Sequence, residues 1–337
     1  MLDAYLDTLR QGADLSEEAA NQCALSIFTG DCPHSELVEV LRLIHHKGES
    51  VSEIVGFARV MREKALRVAL SKPAFDLCGT GGVGKPRFNV STSAAFVLAA
   101  AGVPVAKHGN RGSKKANGSF DFLEALGVRF DFGAEKIPAV FDQTDLCFLF
   151  ARNHHPAVRH AAAARQEVGS RTIFNLLGPL SNPAGVRHQV IGTPTAALAQ
   201  KLAESLRKLG VEKALVIVGY DGLDELSAAG DSALFEVSAD GVTQSVFTPE
   251  SVGITRHEQE WPGADAAENA QLFTDIFSAN DSAHPISETI CLNAGASFYC
   301  FGKTETINDG FALAQEQIKS GAAWAKYVQY KDVASLQ

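Results

Sequence analysis

Asp76-Leu77-Cys78-Gly79-Thr80-Gly81-Gly82-Val83-Gly84 decides how this chain folds. A short apolar run from Phe75 to Cys78 meets a cluster of glycines, the pattern of a buried strand entering a tight turn. Beyond the turn, Ser91 to Ala101 (STSAAFVLAAA) predicts a helix rich in small residues. A second strand is expected at Val103 to Lys107, then a polar loop, then a helix over Ser119 to Leu126. Strand, helix, strand and helix in this rhythm imply a parallel sheet covered by helices. A further unit of the same kind is expected at Lys213 to Gly219, an apolar run that ends in Tyr220-Asp221-Gly222.

Upstream, helical periodicity dominates. Ser16 before Glu17 and Glu18 marks a helix start, His34 to His46 carries apolar residues at helical spacing, and Ser50 with Glu53 offers a capping box. The expected fold class is α/β: a small N-terminal helical domain at 1–72, joined by a helix near 159–183, and a large domain at 73–337. That larger domain has a mostly parallel central sheet flanked by helices. The segment from Glu258 to Asn280 is polar and acidic and reads as surface loop and helix.

A chain of 337 residues with 46% hydrophobic and 20% charged residues holds a sizeable core and has no disordered composition. Thirty Lys and Arg against 39 Asp and Glu give a net charge of −9, which argues against nucleic acid as a partner. The acidic N-terminus has no signal-peptide pattern, and no apolar run reaches the roughly 18 residues of a membrane span. A cytoplasmic location with no membrane partner is expected. The six cysteines form no CxxC pair and read as reduced core residues.

Four segments carry candidate chemistry. In the first, glycines at 79, 81, 82 and 84 allow close backbone approach, and the following helix N-terminus at Asn89-Val90-Ser91-Thr92 attracts anions. The spacing is neither a P-loop nor a dinucleotide fingerprint, and taken alone it also suits a plain tight turn. The second is Lys107-His108-Gly109-Asn110-Arg111, followed by Gly118-Ser119. Loops after successive parallel strands gather at one sheet edge, so this loop is expected to face the first. The third runs from Ala151 through His155, Arg159 and Arg165 to the stretch Arg171 to Pro183 (RTIFNLLGPLSNP). An arginine fork suits a carboxylate, although His155, Arg159 and Arg165 cannot all share one helix face. The fourth, Gly222-Leu223-Asp224-Glu225, pairs two carboxylates that read as solvated in isolation and as magnesium ligands beside a phosphate loop.

Together these segments resemble the anthranilate phosphoribosyltransferase family along nearly the whole chain, in order, ending with Leu292 to Ala296 (LNAGA). GTGG and GLDE are individually weak; KHGNR with RTIFNLLGPLSNP is specific. The family is similar in fold to the pyrimidine nucleoside phosphorylases. The resemblance implies transfer of the phosphoribosyl group of phosphoribosyl pyrophosphate (PRPP) to the amine of anthranilate in tryptophan biosynthesis, with Mg2+ as cofactor and a homodimer formed through the helical domain. It places PRPP at Gly79, Thr80, Gly81, Gly82, Val83, Arg87, Asn89, Val90, Ser91, Thr92, Lys107, Lys115 and Ser119. It places anthranilate at Gly79, His108, Asn110, Ala151, His155 and Arg165, and metal at Ser91, Asp224 and Glu225. No catalytic acid or base is implied, because an aromatic amine is neutral at pH 7 and attacks once it is held in place.

Four positions depart from the family pattern: Val83 replaces the usual Asp, Arg87 a Ser or Thr, and Lys114-Lys115 a pair of serines. With Lys85, the phosphate site gains cations and loses an acid. Either the cations partly replace magnesium, or the chain is a paralogue with another acceptor or a nucleic-acid-binding role.

Overall fold

The computed structural model describes residues 2–81, 87–112, 116–258 and 263–337. Four helices open the chain: α1 (Asp3–Arg10), α2 (Glu17–Thr29), α3 (His34–Lys47) and α4 (Val51–Glu63). Ser16 caps α2 by accepting from the Ala19 amide, and Ser50 with Glu53 forms the expected capping box on α4.

The rest of the chain alternates strands and helices around a seven-stranded sheet of order β3-β2-β1-β4-β5-β6-β7. The strands are β1 (Phe75–Gly79), β2 (Val105–Gly109), β3 (Leu146–Phe150), β4 (His188–Gly192), β5 (Lys213–Val218), β6 (Ser232–Val237) and β7 (Val242–Phe247). β1 to β5 pair parallel, and β6 and β7 add an antiparallel edge. The helices between and after them are α5 (Val90–Ala100), α6 (Ser119–Ala125), α7 (Ile137–Thr144), α8 (Ala151–His154), α9 (Ala162–Val168), α10 (Phe174–Leu177), α11 (Ala196–Lys208), α12 (Ala266–Ser278), α13 (Pro285–Phe301), α14 (Ile307–Lys319) and α15 (Ala322–Ser335). The expected strand at 103 begins two residues later. The expected helix near 159–183 is broken into a 3-10 turn, Pro156–Ala161, then α9 and α10, so Arg159 and Arg165 lie on different elements.

Period-two alternation sorts β4, β5 and β6 between two cores. Leu215 and Ile217 face the core built with α5 and α12 to α15, while Ala214 and Val216 face the one built with α11. The second core continues without a break into α1 to α4 and into the 161–180 stretch, where Phe174 meets Phe28 and Phe57 at 5.6 and 6.4 Å between ring centroids. Arg62 of α4 donates to the carbonyls of Leu180 (2.6 Å) and Leu209 (3.2 Å), tying the N-terminal helices to the loops at the sheet edge.

The chain runs β1, β2, β3 in one direction and resumes at β4 on the other side of β1. The connections leaving β1 and β4 therefore diverge, and a crevice opens at their carboxyl ends. That is where open α/β sheets bind ligands.

Candidate active site

Gly79 ends β1 in that crevice, and the Thr80 amide donates to the Gly192 carbonyl of β4 at 2.8 Å. A Cβ at Gly79 would strike the Asp224 carboxylate, and one at Gly192 would strike the Asp224 backbone. Glycine is needed at both strand ends because the loop after β5 lies flat across them. Gly81 adopts φ +68°, and its carbonyl accepts from Arg171 at 3.0 Å, so the third segment reaches the first. Gly82, Val83 and Lys115 lie outside the described residues, as do Lys85 and Lys114.

Beneath the turn, Lys107 is 1% exposed, and its ammonium donates to the Leu77 carbonyl (2.7 Å) and Ser91 Oγ (3.3 Å). Asp76, fully buried, accepts from the His108 amide and from Asn182 Nδ2 at 3.1 and 2.8 Å. Burial pushes the Asp76 carboxyl up and the Lys107 ammonium down, each opposed by the other's charge. This pair fixes β1 against β2 and aims a cation at the start of α5.

Asn89 precedes α5 without capping it. Its Oδ1 accepts from Asn269 Nδ2 (3.0 Å) and its Nδ2 donates to the Asn117 carbonyl (3.3 Å). Asn269 Nδ2 also meets Asn117 Oδ1 (3.2 Å) and the Arg87 carbonyl (3.0 Å), which accepts from Asn117 Nδ2 as well (2.9 Å). The knot holds the entry to α5 in place while leaving its first amides free of any side-chain cap, a ready anion site. Val90 and Thr92 are buried in that first turn, and Ser119 Oγ lies 3.2 Å from where a Cβ on Gly109 would stand.

Asp224 is 3% exposed, and neither carboxylate oxygen receives a hydrogen bond among the described residues. Arg87 forms an ion pair with its Oδ1. Glu225 is half-buried. The loop is clamped from below by Asn293 of the LNAGA stretch, which accepts from the Leu226 amide (2.9 Å) and donates to the Leu226 carbonyl (3.0 Å).

On the third side, His108 and His155 stack obliquely with ring centroids 5.0 Å apart. His108 Nδ1 bonds the Gly178 carbonyl at 3.1 Å, and the Nε2 atoms of both rings are buried without a partner among the described residues. Burial lowers both pKa values, that of His155 to about 4, so both rings are neutral at pH 7. Ala151 opens α8, whose end carries His155. Arg165 lies over the Phe174 ring at 5.2 Å and has no carboxylate partner among the described residues; burial lowers its pKa. Asn110 is exposed, its Oδ1 turned to the Arg111 amide at 2.8 Å.

The structure thus joins Gly79, Asp224 and Arg87, joins Lys107 and Ser91, and joins His108 and His155. Asn110 and Arg165 contact none of these. Arg171 and Thr172, which the sequence places in the third segment without a role, and Thr193, which it does not single out, each have a buried polar atom without a partner among the described residues; the positioning roles of Asn117, Asn269 and Asn293 escaped the sequence reading. Thr80 and Thr92 share that unpartnered state. Buried polar atoms are nearly always satisfied, so a group of unsatisfied ones at a sheet edge marks a ligand's place.

A model of the glycosyl transferase family, a/b domain, matches residues 71–324, and one of that family's helical bundle domain matches residues 3–65. Fold and site therefore define a glycosyltransferase. The anthranilate phosphoribosyltransferase of Rubrobacter xylanophilus is 42% identical over 335 residues, covering 99% of this chain and 98% of that one. That of Mesorhizobium japonicum is 42% identical, with 96% and 95% covered. The crystal structure of the Thermus thermophilus enzyme aligns with TM-score 0.91 at 38% identity over 98% of this chain and 99% of that chain. The Saccharomyces cerevisiae enzyme in complex with PRPP and Mg aligns with TM-score 0.90 at 25% identity, covering 100% and 98%. The chain belongs to the anthranilate phosphoribosyltransferase family and transfers a phosphoribosyl group to anthranilate. The relatives favour this reading over the paralogue with another acceptor or a nucleic-acid role.

Proposed function

We propose that the crevice between β1 and β4 performs this transfer with PRPP on the glycine turn and the α5 N-terminus, and with anthranilate on the His108, His155 and Arg165 side. The observation that carries the reading is the set of buried polar atoms without a partner among the described residues at the carboxyl edge of the sheet, together with Arg165, which has no acid partner among them. PRPP lies along Gly79, Thr80, Gly81, Gly82 and Val83, then Arg87, Asn89, Val90, Ser91 and Thr92, with Lys107, Lys115 and Ser119 completing the cradle. Anthranilate takes the Arg165 fork with its carboxylate, while Gly79, His108, Asn110, Ala151 and His155 line its channel.

Mg2+ fits the donors present. It takes one or two carboxylates with substrate phosphate oxygens, and the buried Asp224 carboxylate has two oxygens that receive no hydrogen bond among the described residues. Asp224, Glu225 and the Ser91 hydroxyl would hold it, and when bound it supplies charge neutralisation for the departing pyrophosphate. The yeast structure with PRPP and Mg supports this assignment.

The bond from the anomeric carbon to the pyrophosphate oxygen breaks, its electron pair leaves with pyrophosphate, and the anthranilate nitrogen forms the new bond and loses one proton. Positive charge develops on the ribose, as in glycoside cleavage. The α5 amides and Lys107 stabilise the leaving group's negative charge from fixed positions. Neutral His108 and His155 line the acceptor side without adding a repelling cation, and Arg165 orients the amine. A cytoplasmic homodimer, with 1–72 and 73–337 as its two domains, completes the proposal.

Asp224→Asn with Glu225→Gln is expected to shift turnover to much higher Mg2+, with the KM for anthranilate little changed. An unchanged magnesium titration would remove both residues from the metal site.

A further inference from the structure

Asp224 is a buried carboxylate with no hydrogen-bond donor among the described residues, and such a group is strongly destabilising unless a cation compensates it. Among the described residues the cation paired with it is Arg87, whose side chain is 31% exposed and contacts Asp224 Oδ1. Its backbone is not free to move away. The Arg87 carbonyl accepts from Asn117 and Asn269, and a Cβ at Gly263 would strike the Arg87 backbone, so the segment before α12 lies directly against it. Asp224 is equally fixed, lying against the bare Cα atoms of Gly79 and Gly192 while Asn293 grips the loop two residues on. Arg87 also acts on Lys107 together with Glu225, so it stands inside the charge cluster of the site.

We propose that Arg87 is a resident counter-cation of Asp224 that competes with the divalent metal for the same carboxylate. The proposal rests on the assignment of Asp224 as a metal ligand. A guanidinium does not deprotonate, so the positive charge is present at every working pH and must be displaced or shared when a metal binds. The metal-free protein is thereby stabilised, and its affinity for metal is held down until substrate phosphates contribute further ligands.

The test is Mn2+ binding to the full-length protein without substrates, followed by electron paramagnetic resonance of the free ion. Arg87→Ser should bind Mn2+ about tenfold more tightly than the unsubstituted chain, a change of about 1.4 kcal/mol. Arg87→Lys, which keeps a cation without the fork, should fall between. In an Asp224→Asn background the gain from Arg87→Ser should vanish, because the competition needs the carboxylate. Melting in EDTA should show Arg87→Ser below the unsubstituted protein, with Mn2+ closing the gap. Equal Mn2+ affinity with Arg, Lys and Ser at position 87, or a gain that survives in the Asp224→Asn background, overturns the proposal. Turnover with anthranilate is scored separately. An active enzyme with no coupling refutes only the counter-cation, and coupling in an inactive protein refutes only the reaction.

Discussion

Arg165 brings a guanidinium into a half-buried position, stacks it on Phe174, and leaves its donors without an acid among the described residues. Desolvating an arginine to this degree is unfavourable unless something arrives to use it, and a planar fork suits the carboxylate of anthranilate. Removing a hydrogen bond to a charged group costs about 1.5–3 kcal/mol, so Arg165→Ala should raise the KM for anthranilate by about 10- to 100-fold. The KM for PRPP should stay within about twofold, since Arg165 touches none of the residues around the glycine turn. Two-substrate steady-state kinetics separate the two constants, and an equal rise in both would show that Arg165 is not a carboxylate clamp.

Between residue and fold stand the elements, and here α12 does more than its composition suggests. The segment from Glu258 to Asn280 reads as polar surface, yet α12 buries Phe273, Ile276 and Phe277, and Asn269 on the same side ties down Arg87, Asn89 and Asn117. Asn269→Ala leaves three acceptors short of a donor and should destabilise the protein by roughly 2–4 kcal/mol. It should also raise the KM for PRPP by about tenfold while sparing that for anthranilate, because the start of α5 loses its fixed position. Thermal melts and kinetics check both halves; a lower melting temperature with unchanged PRPP kinetics would make the knot purely structural. No sequence signal marks Asn269, Asn117 or Asn293: an asparagine in a polar loop or helix looks the same whether it faces water or three backbone partners. Glycine-rich turns, by contrast, are legible, because Gly79 stands where no side chain fits. Lys107 could be read as a phosphate cation, but its burial against Asp76 could not, since that pairing depends on the β1 and β2 registers.

At the scale of the whole molecule, the sheet order does the assembling. Four segments spread from Asp76 to Glu225 converge because β1, β2, β3 and β5 run parallel and deliver their loops to the same edge. The strand-helix-strand rhythm after Phe75 made that convergence legible. The sequence left open how the N-terminal helices attach. They share one continuous core with α11 and the 161–180 stretch, and apolar stripes do not say which partner they cover. Arg62 reaches across to Leu180 and Leu209, so the helical layer is bonded directly to the connections on either side of β4. The reaction itself is tested by following anthranilate fluorescence with purified full-length protein, PRPP and a magnesium titration. The expected result is saturable consumption that depends on both PRPP and Mg2+. Folded protein that consumes no anthranilate at any magnesium concentration would contradict the assignment of this crevice to phosphoribosyl transfer.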